Sequence, residues 1–197
     1  MDKNSEQRVT ELEKLVKQMR GKSAIKIMKK LEVGDTFDLL GMQWKILEIA
    51  DKGYVCLADR LEDAMRFDND SNNWESSDLR NYLNTKFYEK LAEAVGAENI
   101  IPFERNLLSL DGQTEYGTCE DKVSIIGLDE YRKYRALIPN EEYWWWTLTP
   151  DSTKCNGDTR WIRVVCPSGD IYNDVYYYDF GVRPFCIFSP SIFESKE

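Results

Sequence analysis

The sequence predicts an α+β fold, and three observations carry that expectation. Residues 78–96 repeat large apolar side chains every fourth position, as the buried stripe of a helix does. Residues 35–60 read as a three-stranded antiparallel meander, and the chain after Tyr143 is β in pattern throughout. At 197 residues, 42% hydrophobic and 31% charged, the chain is long enough for one core that closes without disulfide or metal staples.

Val9, Leu12, Val16 and Met19 recur at spacings of three, four and three up to Gly21, which predicts an amphipathic helix over 1–21. Two heptads are too few to specify a coiled coil alone, so this helix either docks on the domain, tethers it, or supports a homo-oligomer. The domain proper is expected over 31–189. It opens with a strand, a Leu40-Gly41 turn, a second strand, an Asp51-Lys52-Gly53 turn and a third strand. Alternation puts Trp44, Ile46 and Glu48 on one face and Lys45, Leu47 and Ile49 on the other, and Gly53 suits a positive φ. "DNDSNNWESSD" is a polar loop that leads into the helix, whose stripe is Leu79, Leu83, Phe87 and Leu91. Ser76 or Ser77 serves as N-cap, Asp78 meets the dipole and Gly96 ends it. Ile100–Pro102 and Asn106–Leu110 read as short extended pieces, and "KVSIIGLDEYRKYRAL" as a strand and then a short helix from Asp129. "YWWWTLTP", "RWIRVVCPSGDIYNDVYYY" with its Pro-Ser-Gly-Asp turn, and "VRPFCIF" are the late strands.

Composition excludes several classes of function. A net charge of -9 and a pI near 4.8 disfavour a nucleic-acid partner, which needs clustered Lys and Arg. There is no histidine. That removes Ser-His-Asp and Cys-His catalysis, His-ligated zinc and the two-His-one-carboxylate iron site. The five cysteines are odd in number and lack CxxC spacing, so buried free thiols are expected rather than a zinc knuckle or a disulfide framework. No apolar run approaches the roughly 18 residues of a membrane span, and no secretion signal is read. A cytoplasmic or virion-associated protein without membrane contact is expected.

Three metal or catalytic patterns fail on spacing. Asp68, Asp70 and Asn72 alternate as in an EF-hand, but Asn73 stands where that loop needs Gly and Leu79 where it needs Glu. Pro139-Asn140-Glu141 and Tyr172-Asn173-Asp174 do not match the spacing of lectin calcium ligands. Asp170, Asp174 and Asp179 offer no distinguished carboxylate pair among 35 acidic residues. No cofactor, no metal and no catalytic residue is assigned.

"WESSDLRNYLNTKFYEKL" (with Trp74, Ser77, Leu79, Arg80, Leu83, Asn84 and Phe87), "DKVSIIGLDEY" (121–131), "WWWTLTP" (144–150) and "GVRP" (Gly181, Val182, Arg183, Pro184) follow one another at characteristic intervals. Together they resemble an uncharacterised domain family common in gut bacteria and their phages. The likeness spans Val33 to Phe188. Leu148 departs from the family's Arg in its Arg-Ser-Pro block, so any role of that arginine is lost. The resemblance implies a C-type-lectin-like fold of the formylglycine-generating-enzyme type, in which the Gly-Val-Arg-Pro strand closes the core sheet and the preceding hairpins form a binding face. Variable proteins of diversity-generating retroelements use this fold, with Tyr, Asn, Asp and Ser concentrated before that strand.

The residues support a binding face independently. Tyr offers large rigid contact area with a polar tip, and Asn and Ser adapt their hydrogen bonds. The expected ligand residues are Trp145, Asp158, Tyr172, Asn173, Asp174, Tyr176, Tyr178 and Asp179. Strand alternation sets Tyr176 and Tyr178 on one side and Val175 and Tyr177 on the other. Trp74, Arg80, Asn84, Gly181, Arg183 and Pro184 are expected to be structural, with Arg183 satisfying buried carbonyls or a carboxylate such as Asp179. The leading expectation is a non-catalytic module that binds a protein or a glycan. The same rings could instead fill an aromatic core. The alternatives are a formylglycine-generating copper oxidase, for which Cys166 and Cys186 are the candidate pair, and a structural phage or accessory protein.

Overall fold

The computed structural model describes residues 31–61 and 63–193, and the unit discussed throughout is Glu32–Ile192. The helix expected over 1–21, and the self-association assigned to it, lie outside the described residues. Along the chain run β1 (Thr36–Leu39), β2 (Met42–Ala50), β3 (Gly53–Ala58), β4 (Met65–Arg66), α1 (Asp78–Tyr82), a π turn (Leu83–Phe87) and α2 (Tyr88–Val95). There follow β5 (Ile100–Ile101), β6 (Phe103–Asn106), β7 (Thr118–Asp121), β8 (Ser124–Ile125), α3 (Leu128–Lys133), β9 (Trp145–Pro150), β10 (Trp161–Val165), β11 (Ile171–Val175), β12 (Asp179–Phe180) and β13 (Pro184–Phe188). Ladders between these strands are antiparallel, and the helices are segregated from the strand runs. The architecture is therefore α+β.

The principal sheet has the order β1-β2-β3-β13-β5, with β8 also on β13. The late Gly-Val-Arg-Pro segment thus delivers β13 into the middle of the sheet built by the first meander. One face of that sheet packs Leu47, Val55, Leu57 and Phe185 with Ile126, Tyr131, Trp145 and Val165. Residues of the other parity, Trp44, Ile46, Cys56, Cys186 and Phe188, are buried as well, and Trp44 meets Phe188 edge-on at 5.1 Å. At the β1–β2 hairpin both turn residues take positive φ, Leu40 at 56° and Gly41 at 76°, the requirement of a two-residue turn that follows strand twist.

The expected alternation in β2 breaks at a β-bulge. Ile46 opposes Cys56 but Glu48 opposes Val55, so Leu47 is the inserted residue and every later side chain changes face. Glu48 therefore leaves the Trp44 side and meets Lys133 at 2.5 Å and the Tyr134 hydroxyl. Ile49 is exposed. Gly53 has φ 152°, and a Cβ there would collide with the Phe188 carbonyl of β13. The segment 107–110 is irregular rather than extended.

The helix begins where expected, with the Ser77 hydroxyl accepting from Arg80 N at 3.1 Å, and ends at Gly96 with φ 91°. Its interior π turn has a cause in the sequence. Residues four apart advance by about 400° in an α-helix, so a strict four-residue stripe drifts by about 40° per step. The wider π turn absorbs that drift, and Leu79, Leu83, Phe87 and Leu91 all remain buried. The side chains of Asn84 and Thr85 take up the carbonyls of Arg80 and Asn81, four residues back.

The motif residues form a clamp around this helix. Asp121, 1% exposed, accepts from Trp74 Nε1 at 2.8 Å through one oxygen and from Arg80 Nε at 2.6 Å through the other. Asn84 donates to the Val123 carbonyl at 2.7 Å and accepts from Lys122 N at 2.9 Å. Gly181 admits the ring of Tyr143, which a Cβ would approach to 2.5 Å. Pro184 begins β13, a position where a strand tolerates a missing N–H.

Candidate functional site

A second sheet, of order β11-β10-β9, carries the late aromatic residues, and its register decides which of them reach solvent. Val164 pairs with both Trp146 and Tyr172, while Val165 pairs with Trp145 and Ile171. Directly opposed residues share a face, so Trp146 and Tyr172 lie on one side and Trp145 on the other. Trp145 is only 1% exposed; it meets Tyr131 edge-on at 5.5 Å and lies beneath Arg183 at 5.1 Å. Its assignment to the ligand face is corrected: it belongs to the core, and Trp144, 37% exposed, occupies the surface position instead.

Trp144 packs against Tyr172 at 5.3 Å and against Phe180 at 6.2 Å. Phe180 in turn meets the buried Trp146 at 4.7 Å, and Trp146 is fixed by its indole N–H to the Met65 carbonyl at 2.8 Å. The surface rings are thus the outer end of an aromatic stack rooted in the core. Tyr172 is 50% exposed.

The three consecutive tyrosines do not continue the strand. β11 ends at Val175, and 176–178 form a turn closed by Tyr178 N on the Val175 carbonyl at 3.2 Å. Strand alternation therefore does not apply to them, and the expected split of Tyr176 and Tyr178 from Tyr177 is corrected. Tyr177 and Tyr178 are 45% and 52% exposed, and Tyr176 is half-buried. Their rings step edge-to-face at 5.3 and 5.2 Å. The turn is held by its backbone: Phe67 N and Asp68 N donate to the Tyr176 carbonyl at 3.1 and 3.2 Å, and Tyr176 N donates to the Arg160 carbonyl at 3.1 Å. Among the described residues, the hydroxyls of Tyr172, Tyr176, Tyr177 and Tyr178 make no hydrogen bond within the protein. Those of Tyr116, Tyr131, Tyr134 and Tyr143 are engaged by Asn72, Gly169, Glu48 and Asp59 respectively.

The polar candidates divide. Asp158 is chelated by Arg160, with Nη2 at 3.1 Å, which holds its carboxyl below the ordinary value. Through Arg160 it borders the tyrosine turn. Asp179 is exposed and opposes Arg66 in the short β12–β4 ladder, with their charged groups 3.8 Å apart. It is not the partner of Arg183, whose Nε donates to the Ala58 carbonyl at 3.0 Å. Asp174 turns one oxygen back to Val175 N at 2.7 Å. Asn173 pairs with Arg163 and points to the side opposite Tyr172, so it stands apart from the aromatic surface. Cavities of 700, 420 and 240 Å³ lie elsewhere, lined by none of the exposed aromatic residues.

Cys166 and Cys186, the pair named for the oxidase alternative, belong to different sheets. Cys186 faces Cys56 in register across β13 and β3, both buried, with both thiols pushed well up by desolvation. Cys166 lies at the end of β10 in the other sheet, its sulfur 2.9 Å from the Ser168 hydroxyl. All five cysteines are free, and Cys155 is the exposed one. The polar 68–73 loop is tied to its own surroundings: Asp68 accepts from Ser71 N and Asp78 N, and Asn72 spans Ser152, Trp161 and Tyr116. Among the described residues no three His, Cys, Asp or Glu side chains gather as metal ligands would, and no helix is long and apolar enough to cross a membrane. Neither a family model, nor a curated protein, nor a solved structure matches the chain.

Proposed function

We propose that this domain is a non-catalytic binding module of the C-type-lectin-like, formylglycine-generating-enzyme type, and that Trp144, Tyr172, Tyr177 and Tyr178 with Phe180 engage a protein or glycan surface. One observation carries the reading: four large aromatic side chains are left between 37% and 52% exposed on a turn and sheet that are otherwise tied down, with tyrosine hydroxyls unused. Burying such rings is favourable, so a cluster held out of the core by rigid backbone is chemistry available to a partner. None of the 700, 420 and 240 Å³ cavities is lined by these rings, which favours a macromolecule over a small ligand. The placement of β13 between β3 and β5, with hairpins inserted before it, supports the fold assignment.

The test is a screen of the biotinylated chain on a glycan microarray and on a panel of immobilised bacterial surface proteins, followed by variants. Trp144→Ala and Tyr177→Ala/Tyr178→Ala are expected to weaken any ligand found by at least about tenfold, the loss typical of an interface anchor, with an unchanged urea midpoint. A ligand whose affinity survives both variants overturns the assignment of this face.

A further inference from the structure

The 240 Å³ cavity lies between β2, β3 and the segment after α3, and none of the exposed aromatic residues lines it. Arg183 lines it with its side chain only 4% exposed. A guanidinium has five N–H donors, and the hydrogen bond made here is the one from Nε to Ala58. Nη1 is 3.4 Å from Glu141 Oε1, within ion-pair reach but without a hydrogen-bond partner. Trp145 lies under the guanidinium plane, and burial pulls its pKa down from the ordinary arginine value. A buried cation with its Nη1 donors unfilled is costly, and a carboxylate is the group whose two oxygens match its fork.

The rest of the lining says what else that carboxylate must carry. Lys45 adds a second cation, while Asp59 and Glu141 add two anions, and Leu137 and Ile138 provide aliphatic wall. A simple anion would meet the Arg183 fork but also two carboxylates. A ligand that is itself neutral overall, with both charges close together, meets all four. The volume is below the roughly 300 Å³ at which pockets for drug-sized ligands begin.

We propose that this cavity is a binding site for a free α-amino acid with an aliphatic side chain. Its carboxylate lies on Arg183 and Lys45, its ammonium on Glu141 and Asp59, and its side chain against Leu137 and Ile138. A peptide terminus carries one of the two charges and a simple fatty acid lacks the ammonium, so neither satisfies the lining. The site shares no residue with the exposed aromatic surface.

Isothermal titration calorimetry of the full chain with L-leucine, L-isoleucine and L-valine tests this. Saturable binding is expected for at least one. N-acetyl-L-leucine, which lacks the ammonium, and L-leucinamide, which lacks the carboxylate, are each expected to bind at least about tenfold more weakly, as for a lost charge-assisted hydrogen bond. Because Arg183 is part of the core, substitutions at its half-buried neighbours, Glu141→Gln and Lys45→Met, carry the genetic test. Each is expected to weaken L-leucine about tenfold; without ligand, Lys45→Met leaves the melting temperature unchanged, whereas Glu141→Gln, which removes the ion-pair partner of Arg183, lowers it. No saturable heat for any of the three amino acids up to about 10 mM, the weak end of specific affinities, overturns the proposal and leaves the guanidinium to buried water. Equal binding of the acetylated and amidated analogues, or indifference to both variants, overturns it too.

Discussion

Replacing Asp121 by Asn keeps the shape of the clamp at the helix N-terminus and reverses its chemistry at one atom. In the native protein the two buried carboxylate oxygens receive Trp74 Nε1 at 2.8 Å and Arg80 Nε at 2.6 Å, with the Cys119 thiol a long third donor at 3.9 Å. An asparagine offers one oxygen and one amide group, so one donor must face another donor. A buried unsatisfied donor and the weakened compensation of Arg80 together cost about 2–4 kcal/mol. For a domain of this size each kcal/mol lowers the melting temperature by about 2–4 °C, giving a fall of about 4–16 °C. The specific signature is in a cycle with Trp74→Phe, which removes the indole N–H. The asparagine oxygen can then serve Arg80, so the double variant is expected to be about 1–2 kcal/mol more stable than the two single losses predict. Urea titrations followed by tryptophan fluorescence and far-ultraviolet circular dichroism measure all four proteins. Additivity within about 0.5 kcal/mol would refute the shared-carboxylate account.

Three further outcomes follow from local geometry. Leu40 holds φ 56° at a 40% exposed hairpin position; Leu40→Asn, which tolerates that region, is expected to raise the urea midpoint by the equivalent of about 0.5–1 kcal/mol at unchanged m-value. Glu48 is held below 4.5 by its hydrogen bond from Lys133 and then that from Tyr134, so its contribution is present above the unfolded pKa and lost as pH falls through the folded one. Both charged partners are more than a third exposed, so Glu48→Gln is expected to cost a few tenths of a kcal/mol near pH 7 and progressively less as pH falls through the folded pKa, read as the difference in urea midpoints. Cys155 is the exposed thiol, and hydrogen bonding to Glu115 raises its pKa. Ellman's reagent is expected to titrate one fast thiol per native chain, and Glu115→Gln to accelerate it by making thiolate more available at neutral pH; several fast thiols in the native state would contradict the described burial.

Most of the strand and helix order was legible because the signals are local. The Leu40-Gly41 and Asp51-Lys52-Gly53 turns, the Ser77 cap and the Gly96 stop each depend on residues within a few positions. What was not legible depends on pairing. The bulge at Leu47 is visible only once β3 is laid beside β2, since a single inserted residue leaves the apolar run of β2 intact while moving Glu48 across the sheet. The choice among Trp144, Trp145 and Trp146 is of the same kind: three identical side chains carry no parity until Val164 and Val165 fix it. Tyr176 was placed in a strand because tyrosine favours strands, yet the backbone turns there to present its carbonyl to Phe67 and Asp68. Phe180, absent from the expected site, carried no compositional signal; its importance lies in touching both Trp144 and Trp146.

On the proposed reading, the way this surface is anchored matters more than which rings it carries. The tyrosine turn is held by main-chain hydrogen bonds to Arg160, Phe67 and Asp68, and the β11 register by its ladder to β10. None of those bonds uses the side chain of Tyr172, Tyr177 or Tyr178. Substitution at these positions therefore changes the contact surface without removing a bond that shapes it, in contrast to Trp74, Arg80, Asn84 or Asp121, where the side chain is itself the tie. A domain built this way separates the residues that determine its fold from those that meet a partner. The separation runs between adjacent residues, Trp144 outside just before β9 and Trp145 inside against Tyr131 and Arg183.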